Sequence, residues 1–287
     1  MILSHNIKNL DNVTESMALE EMLSSDVIVT KRGHLRDSIT YLGLNNFTDK
    51  FILDIDDNIE ENINSRLNDV NSAKISIDIS LMERKSLAEL FSTIAKLALN
   101  NNITIVIIYS LAKYSPPCDK SQPNNKVKPV SNFFSGWSSR PGLSVLSVVG
   151  LGYEKDKAVG AIEYLESSNA FLYVPYSVEE KYFDDVLKEN SKLLDHFGVN
   201  NRFVYQLESP TETIYSLDAV ISANKNKYKV VLLPFGPKLF YALSLVSCIP
   251  HPEVSVWYVS GEEEDGDSSQ DREVSRLIGF KFDIIGA

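Results

Sequence analysis

Apolar residues in this chain come in short continuous runs, and amphipathic stretches of helical period lie between most of them. The runs Asp26–Thr30, Phe51–Ile55, Ile75–Ile79 and Ile103–Tyr109 read as strands. Ile75–Ile79 is apolar on both faces, as a strand in a covered parallel sheet should be. Between them, Glu60–Val70 reads as a short helix. Ser86–Asn100 reads as a longer one, with Leu87, Leu90, Phe91, Ile94 and Leu97 on one stripe. The second half alternates more regularly. Strands are predicted at 145–149, Phe171–Val174, Phe203–Gln206, Lys229–Leu233 and Val254–Val259. Helices are predicted at 156–167, Glu179–Phe197, Thr211–Asn224 and Lys238–Ser247. Strands alternating with helices predict a parallel, Rossmann-like sheet. The first half is a shorter copy with one βα unit fewer.

The predicted fold class is therefore α/β, with two Rossmann-like parallel-sheet domains in tandem. Residues 1–25 form an arm or a short helix from Ser16 to Leu23, 26–113 the first domain, and 142–287 the second. Between the domains, 114–141 carries Pro116, Pro117, Pro123, Pro129 and Pro141. A segment this long without periodicity is a linker or a lid, and Phe133, Phe134 and Trp137 suggest that its end packs down.

Composition agrees. The 287 residues are 44% hydrophobic and 23% charged, enough for one large or two ordinary globular domains. The formal net charge is −11, and five acids fall in the loop 261–270: Glu262, Glu263, Glu264, Asp265 and Asp267. That balance argues against duplex DNA as a partner, which needs a basic face. It leaves room for a small anion held by local cations. The two cysteines, Cys118 and Cys248, form no disulfide framework and fit a reducing cytoplasm. No signal peptide and no run of apolar residues long enough to span a membrane is legible.

Four loops follow predicted strands, where ligands bind in open α/β sheets. After Thr30 come Lys31, Arg32, His34 and Arg36, a basic cluster that suits either phosphate or solvent. After Asp78, Ser80 and Glu83 have the spacing of a capping box, which leaves Arg84 and Lys85 either solvated or facing an anion. Asp78 at the strand end can orient Arg84 or contact a ribose hydroxyl. After Val149, Gly150 and Gly152 permit a tight turn and close backbone approach to a ligand. Glu154 and Asp156 there are either a carboxylate pair or a solvated helix start. After Leu233, Gly236-Pro237-Lys238 places proline at a first helical position and a lysine in the first turn. A cation there is opposed by the helix dipole, and a bound anion would offset this, as would solvent or a carboxylate partner.

Several chemistries are excluded. Position 155 is lysine, and the next strand ends without an acid, so the dinucleotide fingerprint fails. No nucleophile elbow, P-loop, HExxH or Cys/His cluster occurs. No metal and no cofactor is indicated.

Asp78–Arg84, Trp137–Gly142, Gly150–Ala158 and Leu233–Phe240 together resemble a group of prokaryotic tandem Rossmann-like proteins of antiviral defence neighbourhoods. More distantly, the Gly-Pro-Lys loop is similar to the lysine-bearing loop of CRISPR-associated Rossmann-fold (CARF) sensors. That resemblance implies a homodimer or a protein partner in a defence complex, and a ligand held by the loops after the first and fourth strands.

The expected function is binding of a nucleotide or nucleic-acid fragment, in a cleft where the loop edges of the two sheets meet. Lys238, Gly236 and Pro237 would hold one phosphate, Arg84 and Lys85 another, with Gly150 and Gly152 admitting the ligand. Lys31, Arg32 and Arg36 are further phosphate candidates. Two alternatives stand beside this. One is a hydrolase of a nucleotide or N-glycosidic bond, with Asp78, Glu154 or Asp156 as general base. The other is a non-catalytic scaffold.

Overall fold

A computed structural model of the protein describes residues 5–31, 50–67, 71–116, 126–136, 142–153, 156–260 and 273–286. Arg32, His34, Arg36, Glu154, Trp137 and the acidic loop 261–270 lie outside the described residues. The chain divides into two compact units, Met1–Lys113 with Gln270–Ala287, and Tyr114–Ser269. Each is α/β, built on a six-stranded mixed sheet that is largely parallel.

In the first unit the parallel strands are β2 (Val27–Thr30), β3 (Phe51–Asp54), β4 (Ser72–Asp78) and β5 (Asn102–Ala112). Two strands joined by antiparallel pairing complete the sheet: β12 (Val274–Gly286) against β5, and β1 (His5–Val13) against β12, in the order β1-β12-β5-β4-β2-β3. The C-terminal strand, grouped by chain position with residues 142–260, thus lies between β5 and β1. The last four residues of β4 are buried without a break, Ser76 and Asp78 among them, as in a sheet covered on both faces.

The helices of this unit are α1 (Glu15–Leu23), α2 (Ile59–Leu67) and α3 (Arg84–Leu97). Ala18 and Met22 of α1 pack on Ile28, Val106, Ile108 and Leu277 of the sheet. The stripe expected on α3 is real, with Leu87, Leu90, Phe91 and Ile94 all buried. His5 Nε2–H donates to the Ala95 carbonyl at 2.7 Å and ties β1 to α3.

Glu21 of α1 receives Lys74 Nζ at 2.6 Å and Lys281 Nζ at 2.9 Å, joining the helix to β4 and β12. Burial works to raise its pKa, but the two ammonium groups outweigh that and hold it below the ordinary glutamate value. A carboxylate with a lowered native pKa stabilises the fold above its unfolded pKa. The contribution is lost as pH falls through the native value. Glu21→Gln is therefore expected to melt earlier at neutral pH and to lose less on acidification below the ordinary glutamate range. Thermal melts of both proteins across that range check this.

The second unit has parallel strands β7 (Val145–Gly150), β8 (Asn169–Tyr176), β9 (Arg202–Gln206), β10 (Lys229–Pro234) and β11 (Ser255–Ser260). An antiparallel edge strand, β6 (Lys126–Pro129), comes from the proline-rich segment. The order is β6-β11-β10-β7-β8-β9. The helices are α4 (Lys157–Tyr164), α5 (Lys181–Glu189), α6 (Ser191–Phe197), α7 (Pro210–Asn224) and α8 (Lys238–Cys248). On one sheet face Val149, Leu172, Val174, Val231 and Leu233 pack with Ala161 and Ile162 of α4, Val186 of α5 and Leu194 of α6. On the other, Tyr173 stacks on Phe203 and meets Phe240 of α8, while its hydroxyl bonds Ser216 of α7 at 2.9 Å. This is a doubly wound sheet.

The single helix expected over Glu179–Phe197 is two, α5 and α6, broken at Asn190. The Asn190 side chain donates to the Gly152 carbonyl and back to the Val186 carbonyl, both at 2.8 Å, so helix continuity gives way to a tie to the β7 loop. Among the described residues, no helix is long and apolar enough to cross a membrane.

Candidate functional site

In the second unit the chain runs from β7 outward through β8 to β9. It then returns through α7 to β10 on the other side of β7. The crevice at such a reversal, outside the carboxyl ends of the two strands, is where doubly wound sheets bind ligands. The loops there are 151–156 and 235–237. In the first unit β2 leads out to β3 and the chain returns to β4, so the reversal lies between β2 and β4. The loops there begin at Lys31 and Ile79. The four loops singled out by sequence thus sit in pairs, one pair at each reversal.

The loops of the second pair touch. Gly236 has φ +73°, and a Cβ built on it would lie 2.3 Å from the Leu151 carbonyl oxygen and 3.1 Å from the Gly152 Cα. Glycine is required both for the left-handed backbone and for the approach. Pro237 is the residue before α8, with ψ 136°, rather than its first helical residue. Lys238 opens the helix and is half-buried. Gly150 ends β7, and its missing side chain is filled by the Phe240 ring: a Cβ would be 2.2 Å from Phe240 Cδ1. That glycine serves packing of α8 on β7. Asp156, exposed and with φ +60°, precedes α4 without capping it.

Lys157, the first residue of α4, is 4% exposed. The pattern reading passed over it. Its signal was a lysine leading the small apolar segment Ala158–Ile162, where an exposed position would be expected to continue the polar loop.

At the first unit's reversal Lys31 has carboxylate neighbours. Lys31 Nζ lies 3.3 Å from Glu83 Oε1 and 4.0 Å from Asp56 Oδ2. Asp78 is buried, and its Oδ1 accepts from the Ser80 backbone N–H at 3.0 Å and from Ser80 Oγ at 2.6 Å. Ser80 Oγ in turn accepts the Ser110 N–H at 2.8 Å. The expected capping box is therefore not formed. Ser80 is held by Asp78 in a local turn, and Glu83 precedes α3 with no side-chain cap. Arg84 opens α3 half-buried, whereas Lys85 is 78% exposed, 4.0 Å from Glu89 one turn on, and belongs to a solvated face.

Other reactive groups have structural roles. His251 Nε2–H donates to Asp218 at 2.8 Å while its Nδ1 accepts from Lys225 Nζ at 3.1 Å. Burial pushes the Cys248 thiol far above its ordinary pKa, so it is no thiolate nucleophile. Among the described residues, no three His, Cys, Asp or Glu side chains converge as metal ligands. No protein-family model matches the chain, and no curated protein sequence matches it.

Proposed function

We propose that the second unit binds a nucleotide or nucleic-acid fragment by its phosphate at the reversal between β7 and β10. The observation that carries this is the seating of Gly236 on the Leu151 carbonyl. It locks the loops after β7 and β10 together, and the helices that follow them, α4 and α8, each begin with a lysine. A helix N-terminus presents N–H donors and a positive dipole end, which a lysine there opposes and an anion would reconcile. The setting we infer, from the resemblance of the loops to defence-associated tandem Rossmann-like proteins and CARF sensors, is that of a sensor or accessory subunit. It would act as a homodimer or with a protein partner in a prokaryotic antiviral complex.

The test is a thermal-shift and calorimetric screen of mononucleotides, dinucleotides and short oligonucleotides. A ligand at about 100 times its Kd should stabilise the protein by about 2.7 kcal/mol. Lys238→Ala removes a charged contact to phosphate, worth about 1.5–3 kcal/mol, so the affinity should fall by about 10- to 150-fold. A flat response to every compound would remove this reading and leave the crevice as a contact surface for a protein.

A further inference from the structure

Beside the loop that follows β7, three tyrosines from distant parts of the chain converge. Tyr153 comes from that loop, Tyr182 from the first turn of α5, and Tyr114 from the segment after β5. The Tyr153 and Tyr182 rings stack at 5.3 Å with 9° between their planes. Tyr114 meets Tyr182 edge-on at 5.3 Å and 81°. Its hydroxyl donates to Asp185 at 2.5 Å, and Lys181 Nζ lies 5.7 Å over its ring. All three rings are only half-buried. The neighbouring core on this face is mainly aliphatic, with Tyr153 merely packed against its edge. A stack of polar-tipped rings at the carboxyl edge of a sheet is not needed to fill that core.

The Tyr153 hydroxyl is shielded from solvent and has no hydrogen-bond partner, so no contact within the fold requires a tyrosine rather than a phenylalanine there. Stacked aromatic rings beside a cation and a carboxylate are the arrangement on which bases stack, since every base has a π face.

We infer that Tyr153 and Tyr182 form a stacking platform for a nucleobase, bordered by Lys181 and Asp185. The assignment rests on the nucleotide reading above and names the part of the ligand that the phosphate crevice cannot recognise. The base extends the tyrosine stack by one ring.

The test uses the full chain and three probes: a nucleoside triphosphate, its uncharged nucleoside, and inorganic tripolyphosphate. Binding is followed by calorimetry and by quenching of tyrosine fluorescence. Loss of one stacked base corresponds to about a 5- to 150-fold change in affinity. Tyr182→Ala is expected to weaken the nucleotide and the nucleoside by a factor in that range and to leave tripolyphosphate unchanged. Tyr182→Phe and Tyr153→Phe keep the rings and should keep the binding. Should Tyr182→Ala fail to fold, Tyr182→Leu keeps apolar volume without a π face and replaces it. Lys238→Ala should do the reverse of Tyr182→Ala, losing tripolyphosphate and sparing the nucleoside. Nucleoside binding that depends on Tyr182, with no binding of tripolyphosphate, would uphold the platform and overturn the phosphate crevice. No nucleoside binding, or equal loss of nucleotide and tripolyphosphate in Tyr182→Ala, would overturn the platform.

Discussion

Gly236→Ala is expected to destabilise the second unit by about 2–6 kcal/mol. A residue with a Cβ held at φ +73° costs about 1–3 kcal/mol. The new carbon would also lie 2.3 Å from the Leu151 carbonyl oxygen, where the neighbour is backbone and cannot swing aside. Overpacking of this kind adds about 1–3 kcal/mol. The two contributions separate with asparagine, which tolerates the left-handed backbone but still brings a Cβ. Gly236→Asn should recover part of the loss and no more. Denaturant titration of the three proteins measures it. A loss below about 1 kcal/mol for alanine would mean that the loops after β7 and β10 slide past each other, and the crevice would lose its fixed shape.

Gly150→Ala should cost about 1–3 kcal/mol by a different route. Here the backbone is ordinary and the obstacle is a ring, with Phe240 Cδ1 at 2.2 Å and Cε1 at 2.3 Å from the added carbon. Phe240 is fully buried between Tyr173, 5.5 Å away by ring centroid, and Tyr205 at 5.0 Å. It has no room to retreat, so α8 must shift. Phe240 lies two residues after Lys238, so the shift carries the lysine with it. Gly150→Ala is therefore expected to weaken anion binding as well as stability. The diagnostic is a double-mutant cycle with Phe240→Leu, whose shorter side chain vacates the space. The pair should be less destabilised than the sum of the singles by about 0.5–3 kcal/mol, the usual coupling between touching residues. Additive losses would show that the Cβ meets something other than the ring.

The elements that define the two reversals were legible in the sequence because buried parallel strands read as short, mainly apolar runs. Val27–Thr30, Ile75–Asp78, Val145–Val149 and Val230–Leu233 are interrupted only by Ser76 and Ser147 and closed by Thr30 and Asp78, and their loops follow directly. Other elements carry no such signal. β1, His5–Val13, buries only its two ends, since it is an edge strand with a partner on one side. β12 lies beside β5, to which it pairs Phe280 with Ile107, and nothing local states a partner so far along the chain.

At the site, residue types were readable but their uses were not. Gly150 and Gly236 stood out as glycines, and the space each leaves is filled by a phenylalanine ring and a carbonyl of the protein itself. Ser80 and Glu83 had the capping-box spacing, but a buried Asp78 two residues before Ser80 competes for the serine and wins. The tyrosine stack was invisible because Tyr114, Tyr153 and Tyr182 share no period and come together only through the fold.

The place of β12 has a consequence for synthesis. The second unit, Tyr114–Ser269, is complete in sequence before the strand that finishes the first unit's sheet has been made. On the ribosome the order of maturation would be inverted, with the inner unit closing while the outer one waits. Until Val274–Gly286 emerges, β5 keeps a row of unpaired backbone groups along one side, open to any other nascent strand. A translation stall just before Val274 would therefore leave its damage in the unit whose other strands were made first.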